Sequence, residues 1–177
     1  MSASNRAHKS PPAEARPEQA AGGFFARLSQ DARARPEVLG FAAVLFLATV
    51  LRFWDLGSRA LHHDESLHTT YAWYILGGRG YQHDPMMHGP FQYFLRALIY
   101  FFLGASDYTS RLPDALCGVL LVASPWLLRR WLGTGGSLAA AALLAISPVF
   151  LYFSRFARND VYIALFTVLI AYCIFRY

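Results

Sequence analysis

Long apolar runs follow a polar beginning in this chain. Residues 1–22 are rich in Ala, Pro and Ser and contain no early apolar core, which predicts a disordered tail and no signal peptide. Apolar runs then recur, and each approaches the ~20 residues that cross the hydrocarbon core of a bilayer. They are interpreted as transmembrane helices, at about 38–54, 112–128, 137–153 and 161–175.

The segment before the first apolar run is short and basic. Residues 24–35 are interpreted either as an amphipathic helix on the inner leaflet or as a basic linker. Its arginines place the start of the first span in the cytoplasm in both cases. Residues 1–37 are therefore predicted to form a disordered, basic cytoplasmic tail, and residues 38–177 the membrane part.

Residues 55–111 form the loop between the first two spans, and they contain two shorter helical patterns. The first, 65–76, carries apolar and aromatic residues, and the second, Phe91–Leu103, is about 13 residues long and is interrupted by Arg96. If the second pattern lies on the outer surface, Arg129 and Arg130 fall in the cytoplasm, as the positive-inside tendency favours. Both patterns are therefore predicted to be helices along the outer membrane surface.

These patterns predict an all-α polytopic membrane protein with about four transmembrane helices and two outer juxtamembrane helices. Residues 133–136, with three glycines, are predicted to be a tight inner turn. The composition, 55% hydrophobic and 15% charged, excludes a solvated or disordered protein. The net charge of +5 comes from arginines dispersed between apolar runs, so it indicates topology and not a nucleic-acid partner.

An acidic pair, Asp64 and Glu65, lies among three histidines just beyond the first span. One interpretation is catalytic, because sugar transfer needs a general base on the acceptor hydroxyl. The other is structural, because acidic residues stabilise the first turn of the helix that follows. The pair alone leaves both open.

The surrounding histidines raise the question of a metal. His68 follows Glu65 by three residues, the spacing of a helical Glu-x-x-His pair. The chain lacks a His-Glu-x-x-His motif and a cysteine pair. Two interpretations of the histidines therefore stay open: they bind a divalent metal, or they form hydrogen bonds at an anionic site. The supporting candidates in this loop are His63, His68, His83, Asp84 and His88.

A second charged cluster ends the third apolar run. Arg155 and Arg158 precede Asp160 where the chain is predicted to emerge on the outer side. Guanidinium groups match phosphate in a two-pronged way, which favours a phosphate-bearing ligand. The alternative is that both arginines extend toward the membrane edge without a ligand.

Four motifs in order resemble membrane glycosyltransferases of the GT-C class, those similar to protein O-mannosyltransferases. They are His62-His63-Asp64-Glu65, the loop His83-Asp84-Pro85 with His88-Gly89-Pro90, Ser110-Arg111-Leu112-Pro113 with Gly118, and Ser154-Arg155 with Ala157-Arg158 and Asp160. Gly89 stands where their usual loop has a proline. The His-His-Asp-Glu and His-Gly-Pro forms most resemble the prokaryotic flippase-activity-associated subfamily.

The resemblance implies transfer of a sugar, with inversion, from a polyprenyl-phosphate carrier to a protein, lipid or glycan acceptor. It places the reaction on the outer face of the plasma membrane of a prokaryote. It makes Asp64 the base with Glu65 beside it, Asp160 the second acidic residue, and Arg155, Arg158 and His88 the donor-phosphate ligands. No cofactor is implied with certainty, and a divalent metal stays open.

Members of that class carry more spans, so the chain is expected to be the N-terminal part of a longer enzyme. The alternative function is a non-catalytic subunit that binds polyprenyl-phosphate lipids. Such a subunit would need Arg155 and Arg158 but not Asp64, so an Asp64→Asn variant separates the two.

Overall fold

The structure, a computed structural model, describes residues 36–83 and 89–177. The predicted tail and the candidate residues Asp84 and His88 lie outside these ranges. The described residues contain no β-strand, which confirms the all-α prediction for this part of the chain. The helices are α1 Pro36–Phe53, α2 His63–Leu76, α3 Phe91–Leu103, α4 Asp107–Ala123, a 3-10 turn Ser124–Trp126, α5 Arg129–Ile146, α6 Pro148–Phe153 and α7 Asp160–Arg176.

Among the described helices, α1 is the one whose length and apolar composition suffice to cross a membrane. The other predicted spans correspond to α4, to α5 with α6, and to α7. Helices α4 and α7 have 17 residues each, and α5 is broken at Gly133, where φ is 70°. The count of about four membrane helices therefore remains a prediction.

The two loop helices lie close to their predicted bounds. Helix α3 is found at Phe91–Leu103, as expected. Helix α2 begins at His63, two residues before the predicted start, because His62 caps it: the His62 Nδ1 accepts from the Asp64 N–H at 3.3 Å. The turn predicted over 133–136 is found at Gly133, where the chain leaves the helical conformation, whereas residues 134–136 are helical.

Helix α4 is the centre of the packing. Its Val122 joins an apolar cluster with α1 and α5, and its Leu121 joins a second cluster with α7. Gly118 permits the closest approach, since a Cβ there would lie 2.3 Å from the Ser154 Cβ and 2.9 Å from the Arg52 Nε. Helix α3 packs against both α2 and α4. The N-terminal ends of α2 and α4 meet the loop before α7, because Glu65 in α2 accepts from Arg111 in α4 and from the Ala157 N–H.

Buried arginines fix these helices to one another. Arg96, which interrupts the apolar pattern of α3, is fully buried and donates to the Asp114 Oδ2 at 2.8 Å and to the Ser110 carbonyl at 2.7 Å. Arg52 at the end of α1 donates to the Leu144 carbonyl at 3.2 Å. Removing one partner of a buried ion pair costs about 3–5 kcal/mol, so loss of Arg96 or of Asp114 alone should destabilise the contact between α3 and α4.

Candidate active site

Glu65 is the point where three parts of the chain meet. Its side chain is fully buried, and Arg111 donates to both of its carboxylate oxygens, at 2.7 and 2.8 Å. The backbone N–H of His62 donates to it at 2.9 Å, and so does the N–H of Ala157. Glu65 therefore joins the start of α2, the start of α4 and the loop that precedes α7.

Arg111 extends this network into the loop before α2. Its Nη1 donates to the carbonyls of Leu56 at 3.1 Å and Arg59 at 2.7 Å, and its Nη2 donates to the Ala60 carbonyl at 3.2 Å. Arg111 belongs to one of the sequence motifs, but the motif alone does not predict a role for it. The signal was its position on the predicted outer side, where an arginine runs against the positive-inside tendency.

The environment of Glu65 keeps it ionised. Burial alone would raise the pKa of the Glu65 carboxyl, but hydrogen bonds from Arg111, His62 and Ala157 outweigh burial and lower the pKa below its usual value. A carboxylate with both oxygens held by donors is poorly placed to accept a proton from a substrate. The capping interpretation of the acidic pair thus fits Glu65, which accepts from the N-cap N–H.

Asp64 has a different environment from its neighbour. About 43% of its side chain is exposed, and its Oδ2 lies 3.4 Å from the Nη1 of Arg158. The Nε of Arg158 lies 3.3 Å from the Oδ2 of Asp160. The fold thus brings together three predicted site residues from segments 94 positions apart, with one guanidinium between two accessible carboxylates.

Arg155 lies on the wall of a small cavity. Its Nη1 donates to the Leu51 carbonyl at 2.7 Å, and its Nη2 to the Asp55 carbonyl at 3.3 Å. The cavity, of about 140 Å³, shares Arg111 with the Glu65 network. Its lining residues are Asp55, Leu56, Ser58, Arg59, Arg111, Tyr152 and Arg155.

Arg59 is a further cation that sequence reasoning missed. Its side chain is 52% exposed, and its Nη2 lies 3.4 Å from the buried Glu65. Its guanidinium also lies 5.6 Å from the ring centre of Phe156. Arg59 is distant from Arg155 in the sequence, and only the fold reveals that the two line one cavity.

Among the described residues, the candidate histidines have different surroundings. Glu65 binds Arg111, whereas the buried His68 lies 3.2 Å from the Tyr93 hydroxyl, so their three-residue spacing does not form a pair. His63 is exposed, and His83 lies 3.4 Å from the Tyr81 hydroxyl. Within residues 36–83 and 89–177, no group of three His, Cys, Asp or Glu side chains is arranged to hold a metal ion.

Comparison with known protein families gives a match. A family model described as dolichyl-phosphate-mannose-protein mannosyltransferase matches residues 87–177, just over half of the chain. Searches of curated proteins and of solved structures found no match. The matched region contains Arg111, which binds Glu65, and Arg158, which contacts Asp64 in the part before it and Asp160 within the match. The chain therefore belongs to the dolichyl-phosphate-mannose-protein mannosyltransferase family, a family of membrane glycosyltransferases.

Proposed function

We propose that this chain transfers a sugar from a polyprenyl-phosphate-linked donor to an acceptor hydroxyl on the outer face of a prokaryotic plasma membrane. The observation that carries the proposal is the meeting of Asp64, Arg158 and Asp160 at an accessible surface. Family membership supports the reaction class. The His-His-Asp-Glu and His-Gly-Pro motifs favour the flippase-activity-associated subfamily.

Asp64 is the proposed base. The acceptor oxygen attacks the anomeric carbon, Asp64 takes the hydroxyl proton, and the bond from that carbon to the phosphate oxygen breaks. The electron pair leaves with the carrier phosphate. Asp64 suits this role better than Glu65 because its carboxylate is 43% exposed, whereas both oxygens of Glu65 are held by donors.

Glu65 and Arg158 are proposed to position this base. Glu65 fixes the first turn of α2 and the Ala157 backbone, one residue before Arg158. Arg158 then holds one carboxylate oxygen of Asp64 and contacts Asp160. Since two carboxylates already face its guanidinium, Arg158 binds a donor phosphate only by giving up one of these contacts.

The carrier phosphate is proposed to bind at the cavity beside Arg155. Arg155 and Arg59 both line it, and Ser58 adds a hydroxyl. Two guanidinium groups stabilise the negative charge that develops on the leaving phosphate. His88 remains a predicted donor ligand, and His63, His68, His83 and Asp84 remain predicted supports. The acceptor is any protein, lipid or glycan that presents a hydroxyl group.

The proposed topology places the candidate site outside and the α4–α5 connection inside. To test it, Cys117 and Cys173 are first replaced. A single cysteine is then introduced in place of Ala105 or Thr134, which are both exposed. A membrane-impermeant thiol reagent added outside should label the cysteine at 105 and not the one at 134. Labelling of 134 alone from the outside contradicts the topology.

The function is tested by separating turnover from donor binding. Membranes holding the wild-type chain, Asp64→Asn or the control Asp107→Asn receive a labelled polyprenyl-phosphate sugar. Asp107 is exposed and opens α4 on the same predicted side. We expect Asp64→Asn alone to lose transfer while retaining donor binding. Equal transfer by both variants refutes the assignment of Asp64.

A further inference from the structure

A basic cleft lies at the end of the fold away from Asp64. It has a volume of about 250 Å³ and is formed where α4 passes into α5 and where α7 ends. Asp160 and Arg176 stand at opposite ends of α7, roughly 24 Å apart along a helix of this length. The lining residues are Trp126, Leu127, Arg129, Arg130, Tyr172 and Arg176.

The three arginines of the cleft are held by aromatic side chains and not by acids. Arg129 lies 4.7 Å from the ring centre of Trp126, and Arg130 lies 4.7 Å from that of Trp131. Arg176 donates to the Tyr172 hydroxyl at 2.6 Å. Among the described side chains, no carboxylate lies within 4.0 Å of these three guanidinium groups. The cleft therefore presents positive charge that a bound anion would neutralise.

An apolar groove adjoins the basic cleft. The groove, of about 360 Å³, shares Trp126 and Leu127 with the cleft. Its other lining residues are Phe41, Leu120, Ala123, Ser124, Leu165 and Leu169. A cationic cleft joined to an apolar groove has the two-part chemistry of a lipid whose headgroup carries a phosphate.

We propose that this combined site binds an anionic bilayer phospholipid, with its phosphate among the three arginines and an acyl chain in the groove. Basic pockets at the cytoplasmic ends of membrane helices bind anionic headgroups in this way. The site is separate from the reaction center proposed above, because its arginines lie at the other end of α7 from Asp160. It would fix the inner end of the helices against the inner leaflet.

The test uses the purified full chain in detergent, titrated with phosphatidylglycerol that carries brominated acyl chains. Bromine quenches nearby tryptophan, so lipid in the groove quenches Trp126. Brominated phosphatidylcholine serves as the zwitterionic comparison. The variants are Arg129→Gln and Arg176→Gln. The matched control is Arg79→Gln, since Arg79 also stacks on an aromatic ring, that of Tyr74 at 4.4 Å.

We expect phosphatidylglycerol to half-saturate the quenching at a lower concentration than phosphatidylcholine. Each cleft variant should raise that concentration about fivefold, the effect of one arginine near an anionic lipid surface. Arg79→Gln should leave it unchanged, and Trp126→Phe should remove most of the saturable quenching. Circular dichroism checks that each variant is folded, and the two cleft variants serve as independent tests.

Three results would overturn the proposal. The first is equal half-saturation for the two phospholipids, which would mean that the arginines do not select a headgroup. The second is the absence of saturable Trp126 quenching by brominated phosphatidylglycerol, which would mean that no acyl chain occupies the groove. The third is tighter binding of a polyprenyl phosphate that displaces phosphatidylglycerol, which would assign the site to a carrier lipid.

Discussion

Replacement of Glu65 by glutamine should destabilise the fold much more than the same change at Asp64. Arg111 donates to both carboxylate oxygens of Glu65, and the N–H groups of His62 and Ala157 donate as well. A glutamine offers one oxygen and one NH2, so in either orientation an N–H group faces donors. Arg111 would also remain buried without its countercharge. Removing one partner of such a pair costs about 3–5 kcal/mol.

That magnitude is large beside the total stability of a domain, about 5–15 kcal/mol. Asp64→Asn also replaces a carboxylate by an amide, but Asp64 is half-exposed and its ion pair with Arg158 has a distance of 3.4 Å. Exposed pairs contribute about 0–1 kcal/mol. Thermal unfolding of both variants in the same detergent compares the two sites directly, with the wild-type chain as reference.

The pH dependence of stability is a second test of the Glu65–Arg111 pair. The pKa of Glu65 is lowered in the folded protein, so its stabilisation is fully present above its ordinary pKa of 4.5 and is lost as the pH falls through the lower, folded value. The difference in the free energy of unfolding between the wild-type chain and Glu65→Gln should therefore be large at pH 7 and should become smaller below pH 4.5.

A double-mutant cycle with Arg111→Gln completes the experiment. If Glu65 and Arg111 stabilise the fold as a pair, the double variant should lose less stability than the sum of the single variants. Equal unfolding temperatures for Glu65→Gln and Asp64→Asn would refute this reasoning, and so would a cycle without coupling.

Two further changes test the packing around α4. Gly118→Ala would place a Cβ 2.3 Å from that of Ser154, so it should cost about 1–3 kcal/mol in thermal unfolding, whereas Gly135→Ala, with open space around it, should cost nothing measurable. Asp114→Asn should cost about 3–5 kcal/mol because Arg96 would keep its buried charge without a partner. Combining it with Arg96→Met removes both charges, so the double variant should lose less stability than the sum of the two single variants. Equal stability of the two alanine variants, or simple additivity of the Arg96 and Asp114 changes, would contradict these expectations.

Local patterns in the sequence were enough to place most helices. The bounds of α3 follow from an apolar run that starts after Pro90 and ends at Gly104, and both limits are found in the structure. The sequence pattern predicts that α2 starts at Glu65, two residues late, because histidine is an unusual N-cap.

The contacts of the site depend on packing and could not be read from spacing. Asp64 and Glu65 are adjacent and chemically alike, but only one is buried, since α2 turns Glu65 toward Arg111 and leaves Asp64 facing Arg158. His68 follows Glu65 at a metal-like spacing, yet the packing of α3 places Tyr93 against it. Neither outcome is visible in a list of residues.

The rate of sugar transfer by Asp64→Asn, measured per folded molecule, tests the account most directly. The same samples provide the unfolding temperature, so a loss of folding is not mistaken for a loss of chemistry. A positioned general base contributes about 10²–10⁴-fold. The account predicts a loss of that size with an unfolding temperature near that of the wild type. Transfer at the wild-type rate would show that Asp64 is not the base and would contradict the division of roles between Asp64 and Glu65.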